Sequence, residues 1–77
     1  RLDIDTKEGV TILQAIATAG GFTRFAATNR IELRRVNPKT GLETKYIFDY
    51  KRGRGISGAT PLREGDVIVV PERRLFE

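Results

Sequence analysis

A chain of 77 residues encloses a single apolar core, because dividing so little material in two would leave neither half enough buried surface. Its 39% apolar and 31% charged residues are those of an ordinary globular chain, far from disordered, collagen-like or membrane-spanning compositions. With no Cys and no His it has no disulfide, thiolate metal site or cysteine nucleophile, and it lacks the commonest metal ligand and the usual general base near neutral pH.

The net charge of +4 is unevenly spread. Residues 1–22 sum to −1, residues 23–63 to +7 and residues 64–77 to −2. A basic middle of this kind attracts polyanions, among them nucleic acids, acidic polysaccharides and anionic lipid headgroups, without choosing between them. The chain does not open with Met and contains no signal-like run and no apolar run of about 18 residues. It therefore reads as part of something longer, whose other segments would carry any targeting signal or anchor.

Leu2 and Ile4 alternate with Arg1, Asp3 and Asp5, the pattern of a short half-buried strand. Lys7-Glu8-Gly9 makes a polar turn. From Thr11 the period becomes helical: Ile12, Ile16 and Ala19 recur at spacings of four and three, with Leu13, Ala15 and Ala17 widening the stripe. Thr11 and Gln14 stand at capping-box spacing, Val10 is placed to staple onto Ala15, and Gly20 or Gly21 can end the helix in the left-handed conformation.

Phe22 and Phe25 are expected as core plugs under the connection that follows. A strand is predicted over Arg30 to Val36, then a turn at Asn37-Pro38-Lys39-Thr40-Gly41 and a hairpin partner in which Leu42, Thr44, Tyr46, Phe48 and Tyr50 share one face. Lys51 to Thr60 reads as an exposed basic loop. Leu62-Arg63-Glu64-Gly65-Asp66 turns the chain into the β-branched run Val67-Ile68-Val69-Val70, which suits a strand covered on both faces, and Pro71 stops the pairing. The expected architecture is α+β, one helix across a small mixed sheet burying Ile12, Ile16, Leu33, Phe48, Ile68 and Val70 together.

Several strings invite a chemical interpretation. Gly53-Arg54-Gly55-Ile56-Ser57-Gly58 matches the dinucleotide fingerprint letter for letter. That fingerprint works only where a strand feeds the glycines and a helix follows, and here Pro61 arrives before any helical period. Lys51-Arg52-Gly53-Arg54-Gly55 is similar to Arg-Gly stretches that bind RNA, with Tyr46 and Tyr50 available for stacking, so a basic nucleic-acid-binding module is the alternative function. Asp3-x-Asp5 falls short of the roughly six oxygens a hard cation needs. No Ser, Thr or Lys has a partner base, so the chain is not expected to be an enzyme and no cofactor or metal is expected.

Two strings together carry a resemblance. Thr11-Ile12-Leu13-Gln14-Ala15-Ile16-Ala17-Thr18-Ala19-Gly20-Gly21-Phe22-Thr23 resembles the helix-to-Ala-Gly-Gly segment of soluble-ligand-binding β-grasp (SLBB) domains. Leu62-Arg63-Glu64-Gly65-Asp66-Val67-Ile68-Val69-Val70-Pro71 is similar to their closing Leu-x-x-Gly-Asp-x-Ile-x-Val-Pro, with Asn29-Arg30-Ile31 and a Tyr-x-Phe-Asp strand in between. The nearest variant is the β-grasp domain of bacterial polysaccharide export proteins. That resemblance implies a β-grasp fold over residues 1–77, a non-catalytic role, a periplasmic or outer-membrane setting reached through the parent protein, and homo-oligomeric assembly. It also implies a further strand ahead of the first one here.

The resemblance assigns no ligand-contact residue. From side-chain chemistry, Arg24, Arg30, Arg34, Arg35, Lys51, Arg52 and Arg54 are candidates to hold an acidic polymer, with Tyr46 and Tyr50 as sugar-stacking rings. The expected partners are thus a polysaccharide or neighbouring export-protein subunits. A sulfur carrier of similar fold would need a terminal Gly-Gly, where this chain has Leu75-Phe76-Glu77.

Overall fold

The computed structural model describes residues 2–74, apart from the side chain of Asp5. What the sequence suggests for Arg1, for the Asp3-x-Asp5 pair and for residues 75–77 lies outside the described residues. In chain order the elements are β1 (Leu2–Asp5), α1 (Ile12–Thr18), β2 (Ile31–Val36), β3 (Glu43–Asp49), β4 (Arg54–Gly55) and β5 (Val67–Val70).

The strands form one 5-stranded sheet in the order β1-β5-β2-β3-β4. The architecture is α+β as expected, but the sheet is not mixed, since each pairing is antiparallel. The reason is topological. The connection from β1 through α1 to β2 leaves those two strands parallel to each other, yet β5 slots between them and runs against both.

Helix α1 starts where the local chemistry requires. The Gln14 backbone N–H donates to Thr11 Oγ1 at 3.2 Å, and the Thr11 N–H donates to Gln14 Oε1 at 2.9 Å, closing the capping box. The next amides along, Ile12 and Leu13, donate to the Thr60 and Gly58 carbonyls at 3.2 and 3.1 Å. The helix is thereby sewn to the segment ahead of β5. Gly21, at φ +78°, donates to the Ile16 carbonyl at 2.9 Å and ends the helix. Replacing Thr11 by Ala should cost about 1 kcal/mol in a denaturant titration, and Ser in its place should recover most of that.

The six predicted core residues are buried in one cluster, joined by Ile4, Ala15, Ile31 and Leu62. Ile68, at 0% exposure, lies at its centre. The buried stripe of α1 is narrower than its periodicity suggests: Ile12, Ala15 and Ile16 are covered, while Leu13, Ala17 and Ala19 are exposed. A seven-residue helix has about two turns, so it presents one stripe and no flanks. Val10 and Phe22 pack against the cluster as partly buried neighbours.

Two further expectations are corrected, and a third, the shared face of β3, holds without implying burial. Phe25 is no core plug, at 56% exposure, because the Arg24 guanidinium, 4.9 Å from its ring centroid, takes the place of packing partners. Of the residues expected on one face of β3, Phe48 is buried while Leu42, Tyr46 and Tyr50 are exposed. The basic loop is partly ordered as a strand: Arg54–Gly55 pairs with Asp49 and Phe48. The Asp49 carboxylate behind it is buried, accepting from the Arg52 N–H at 2.9 Å and facing the Arg52 guanidinium at 3.6 Å.

The sheet face turned away from the core carries Asp3, Val69, Glu32 and Ile47 in one row across β1, β5, β2 and β3. Val69 is nevertheless buried, as the unbroken β-branched run predicts. Arg34, bound to Glu32 at 3.1 Å, lies on that same face, with Lys45 3.9 Å from the same carboxylate.

Candidate ligand-binding cleft

Two turns meet at one end of the sheet. In the first, Asn37 Oδ1 accepts from the Lys39 N–H at 2.9 Å, the Asn37 N–H donates to the Leu42 carbonyl at 2.9 Å, and Gly41 closes the turn at φ +73°. In the second, the Asp66 N–H donates to the Arg63 carbonyl at 3.1 Å across Gly65, which sits at φ +86° as the third residue of such a turn must.

Asp66 ties these parts together. Its carboxylate accepts from Arg35 Nε at 3.0 Å and from the second guanidinium nitrogen at 2.7 Å, and the Arg63 N–H donates to it at 2.8 Å. Its own carbonyl accepts from Thr6 Oγ1 at 2.8 Å. One side chain therefore fastens β2 to the turn before β5, and its backbone fastens the residue after β1.

The Asp66 side chain is 1% exposed and that of Arg35 is 18% exposed. Burial opposes charge on the carboxyl, but the Arg35 hydrogen bonds, the Arg63 N–H and the positive charge of both arginines outweigh it and hold Asp66 below the usual aspartate range. Hydrogen bonding to Asp66 raises Arg35 in turn, against a smaller desolvation effect. The pair is fixed in its charged form and presents a flat, oriented group.

Tyr46 stands beside it, with the Arg35 guanidinium carbon 6.0 Å from the ring centroid. The ring lies on the helix side of the sheet, in the row Ile4, Ile68, Leu33, Tyr46. Tyr46 lies outside the buried cluster that contains Ile12, Ala15 and Ile16 of α1, and is 37% exposed. Between the two turns is an open cleft of about 800 Å³, lined by Tyr46, Arg35 and Asp66 at the back and by Lys39, Arg63 and Glu64 among the rim groups. A second, mostly apolar hollow of about 430 Å³ lies between β1 and α1.

Of the residues singled out from the sequence, the cleft brings together Arg35 and Tyr46 and no others. Arg34 is on the opposite face of the sheet. Arg24 and Arg30 lie beside the chain leaving β5: Arg30 donates to the Glu72 carbonyl at 3.2 Å, and the Arg24 carbonyl accepts from Arg73. Tyr50 follows β3 and packs edge-on to Phe48 and against Phe22, with ring centroids 6.1 and 5.1 Å away. Lys51, Arg52 and Arg54 belong to the β3–β4 hairpin.

Sequence reasoning missed Asn37, Lys39, Thr44, Arg63 and Asp66 as cleft residues. The turn strings at 37–41 and 62–66 were the available signal, since both mark exposed polar corners, but nothing in them says that the corners adjoin. Among the described residues no cluster of acidic side chains could hold a metal, and no helix is long and apolar enough to cross a membrane.

The exposed ring and the locked, planar ion pair thus share one open cleft of a small α+β domain. The family is SLBB, to which this chain belongs: the SLBB domain profile matches residues 4–46, more than half its length. Domains of this family bind ligands and are non-catalytic. The matched region holds the helix-to-Gly-Gly segment and the Asn29-Arg30-Ile31 string that leads into β2, while the closing Leu62–Pro71 string lies beyond it. No curated protein and no solved structure matches the chain.

Proposed function

We propose that this SLBB domain has the β-grasp arrangement and is the glycan-binding module of a polysaccharide export protein. In that role it works in the periplasm, at the outer membrane, with copies side by side in a homo-oligomeric parent. The arrangement is supported by a helix held across one face of the sheet by a β1–α1–β2 crossover, with β5 between the two crossover strands. The export setting is supported by the SLBB profile match and by the closing Leu-x-x-Gly-Asp-x-Ile-x-Val-Pro string.

The observation that carries the binding role is Tyr46. Exposure alone does not mark it, since Phe25 and Tyr50 are more exposed; its place does, because the ring lines the cleft beside Arg35 and Asp66. Sugar rings offer an apolar C–H face to an aromatic surface and hydroxyl edges to planar polar groups, and the cleft supplies both kinds of contact.

The direct test is to titrate isotope-labelled protein with oligosaccharides, neutral and acidic, and follow backbone amide resonances. Saturable shifts at any surface site establish glycan binding, and shifts at Thr44 and Tyr46 place it in the cleft. If no resonance moves with any glycan up to millimolar concentration, the binding role fails and packing between subunits is what the fold provides.

A further inference from the structure

We infer that the cleft takes uncharged saccharide units and not acidic ones; this rests on the glycan-binding role proposed above. The basic middle of the sequence suggests the opposite, a surface for polyanions. The fold disperses that charge. Arg35 is consumed by Asp66, Arg34 by Glu32, and Arg52 faces Asp49. Arg24 and Arg30 lie near the exit from β5, and Lys51 and Arg54 are on the β3–β4 hairpin, so none of these cations lines the cleft.

What remains in the cleft is balanced. Its lining contains the cations Arg35, Lys39 and Arg63 and the anions Glu8, Glu64 and Asp66. An acidic sugar entering there would meet Glu8 and Glu64 as well as Lys39 and Arg63, and would gain no net attraction to offset the water its carboxylate gives up. A neutral sugar has no such cost. Its hydroxyls are both donors and acceptors, and the rim holds both acceptor carboxylates and donor cations. Tyr46, with Arg35 beside it, supplies the apolar contact.

The charge balance also predicts how salt acts. Binding that draws on hydrogen bonds and ring contact should hardly change between low and physiological ionic strength, whereas polyanion binding to Lys51 and Arg54 should weaken steeply.

The experiment compares a neutral glucan hexamer with an oligogalacturonate of the same length on the labelled protein at two salt concentrations. The expected result is saturable, salt-insensitive shifts at Thr44, Tyr46 and Arg63 with the glucan only. Tyr46→Ala should bind the glucan about tenfold more weakly, within the range for losing one aromatic contact. Tyr46→Phe, which keeps the ring, guards against a folding defect and should bind normally. The double variant Lys51→Ser, Arg54→Ser should be unaffected.

Preferential, salt-sensitive binding of the oligogalacturonate would overturn the inference while leaving a glycan-binding module in place. So would glucan shifts centred on residues 50–54. Failure of both oligosaccharides to bind would remove the glycan-binding role itself, and the inference with it.

Discussion

Replacing Asp66 by Asn should remove about 3 kcal/mol of folding stability, the lower end of what breaking one side of a buried ion pair costs. The lower end applies because Arg35 keeps some contact with water, its side chain being 18% exposed. Asn can still accept from the Arg63 N–H, but its single oxygen then has one lone pair left for the two guanidinium N–H donors, and its NH2 is itself a donor. For a domain of this size the loss corresponds to a fall of about 15 °C in Tm, readable by calorimetry. An unchanged midpoint would mean that Asp66 is not the fastening between β2 and the turn before β5.

The same residue sets an acid limit. Its carboxyl binds a proton less readily in the folded protein than in the unfolded chain. The unfolded state therefore takes up protons first as pH falls. The contribution of Asp66 to stability is complete above the ordinary aspartate value of about 3.9 and is lost as pH drops through the lower folded value. Denaturant midpoints measured between neutral pH and about pH 2 should show that decline, and Asp66→Asn should flatten it.

Replacing Gly55 by Ala should be about as damaging, for a different reason. A Cβ there would lie 2.1 Å from the Ile47 carbonyl oxygen and 3.0 Å from its carbon. Both atoms are backbone in the neighbouring strand, so no rotamer change relieves the contact. Gly55 also sits at φ +78°, where an L side chain costs about 1–2 kcal/mol before any clash. Adding the strain of forced overpacking gives about 3 kcal/mol in all.

The hairpin should open at β4, releasing the Ile56 amide, which donates to the Ile47 carbonyl at 3.0 Å. Its hydrogen exchange should accelerate far more than that of Ile68 in the sheet centre. Gly53→Ala separates the two contributions, since Gly53 has φ +69° with nothing within 4 Å of its would-be Cβ. It should lose about 1 kcal/mol and keep the hairpin closed. Equal losses at both glycines would exclude the clash.

These contacts also explain the Gly53–Gly58 string. Gly53 turns the hairpin and Gly55 lets β4 approach β3. Gly58 leaves room for Leu13 and Phe48, whose side-chain atoms would be 2.7 and 2.9 Å from an added Cβ. The glycines serve one turn and two close approaches, where the sequence alone suggested an exposed basic loop.

What could be read from the sequence was what short range decides. The capping box needs residues three apart, the 37–41 turn needs five neighbours, and the run Val67–Val70 announces double coverage by itself. The Arg35–Asp66 pair joins residues 31 apart, and no local pattern brings them together. Alternation along β3 correctly put Tyr46 and Phe48 on one face, but alternation does not say how far a cover extends. Phe48 is buried in the cluster with Ile12 and Ile16 of α1, and Tyr46 lies outside it.

Strand β4 was hidden for a related reason. Arg and Gly carry no strand preference of their own, and only the adjacent β3 gives them a partner. The cleft was equally hidden, because its walls are two corners whose meeting is a property of strand order. Strand order also dispersed the charge that the linear sequence had gathered into one block.

The last strand in the chain occupies an inner position of the sheet, and this orders events during synthesis. Until residues 67–70 have left the ribosome, β1 lacks its partner among the described strands, and β2, Leu33 included, lacks the neighbour on its other edge. The nascent sheet thus keeps unpaired strand edges until β5 emerges, and its closure is decided by the arrival of four β-branched residues.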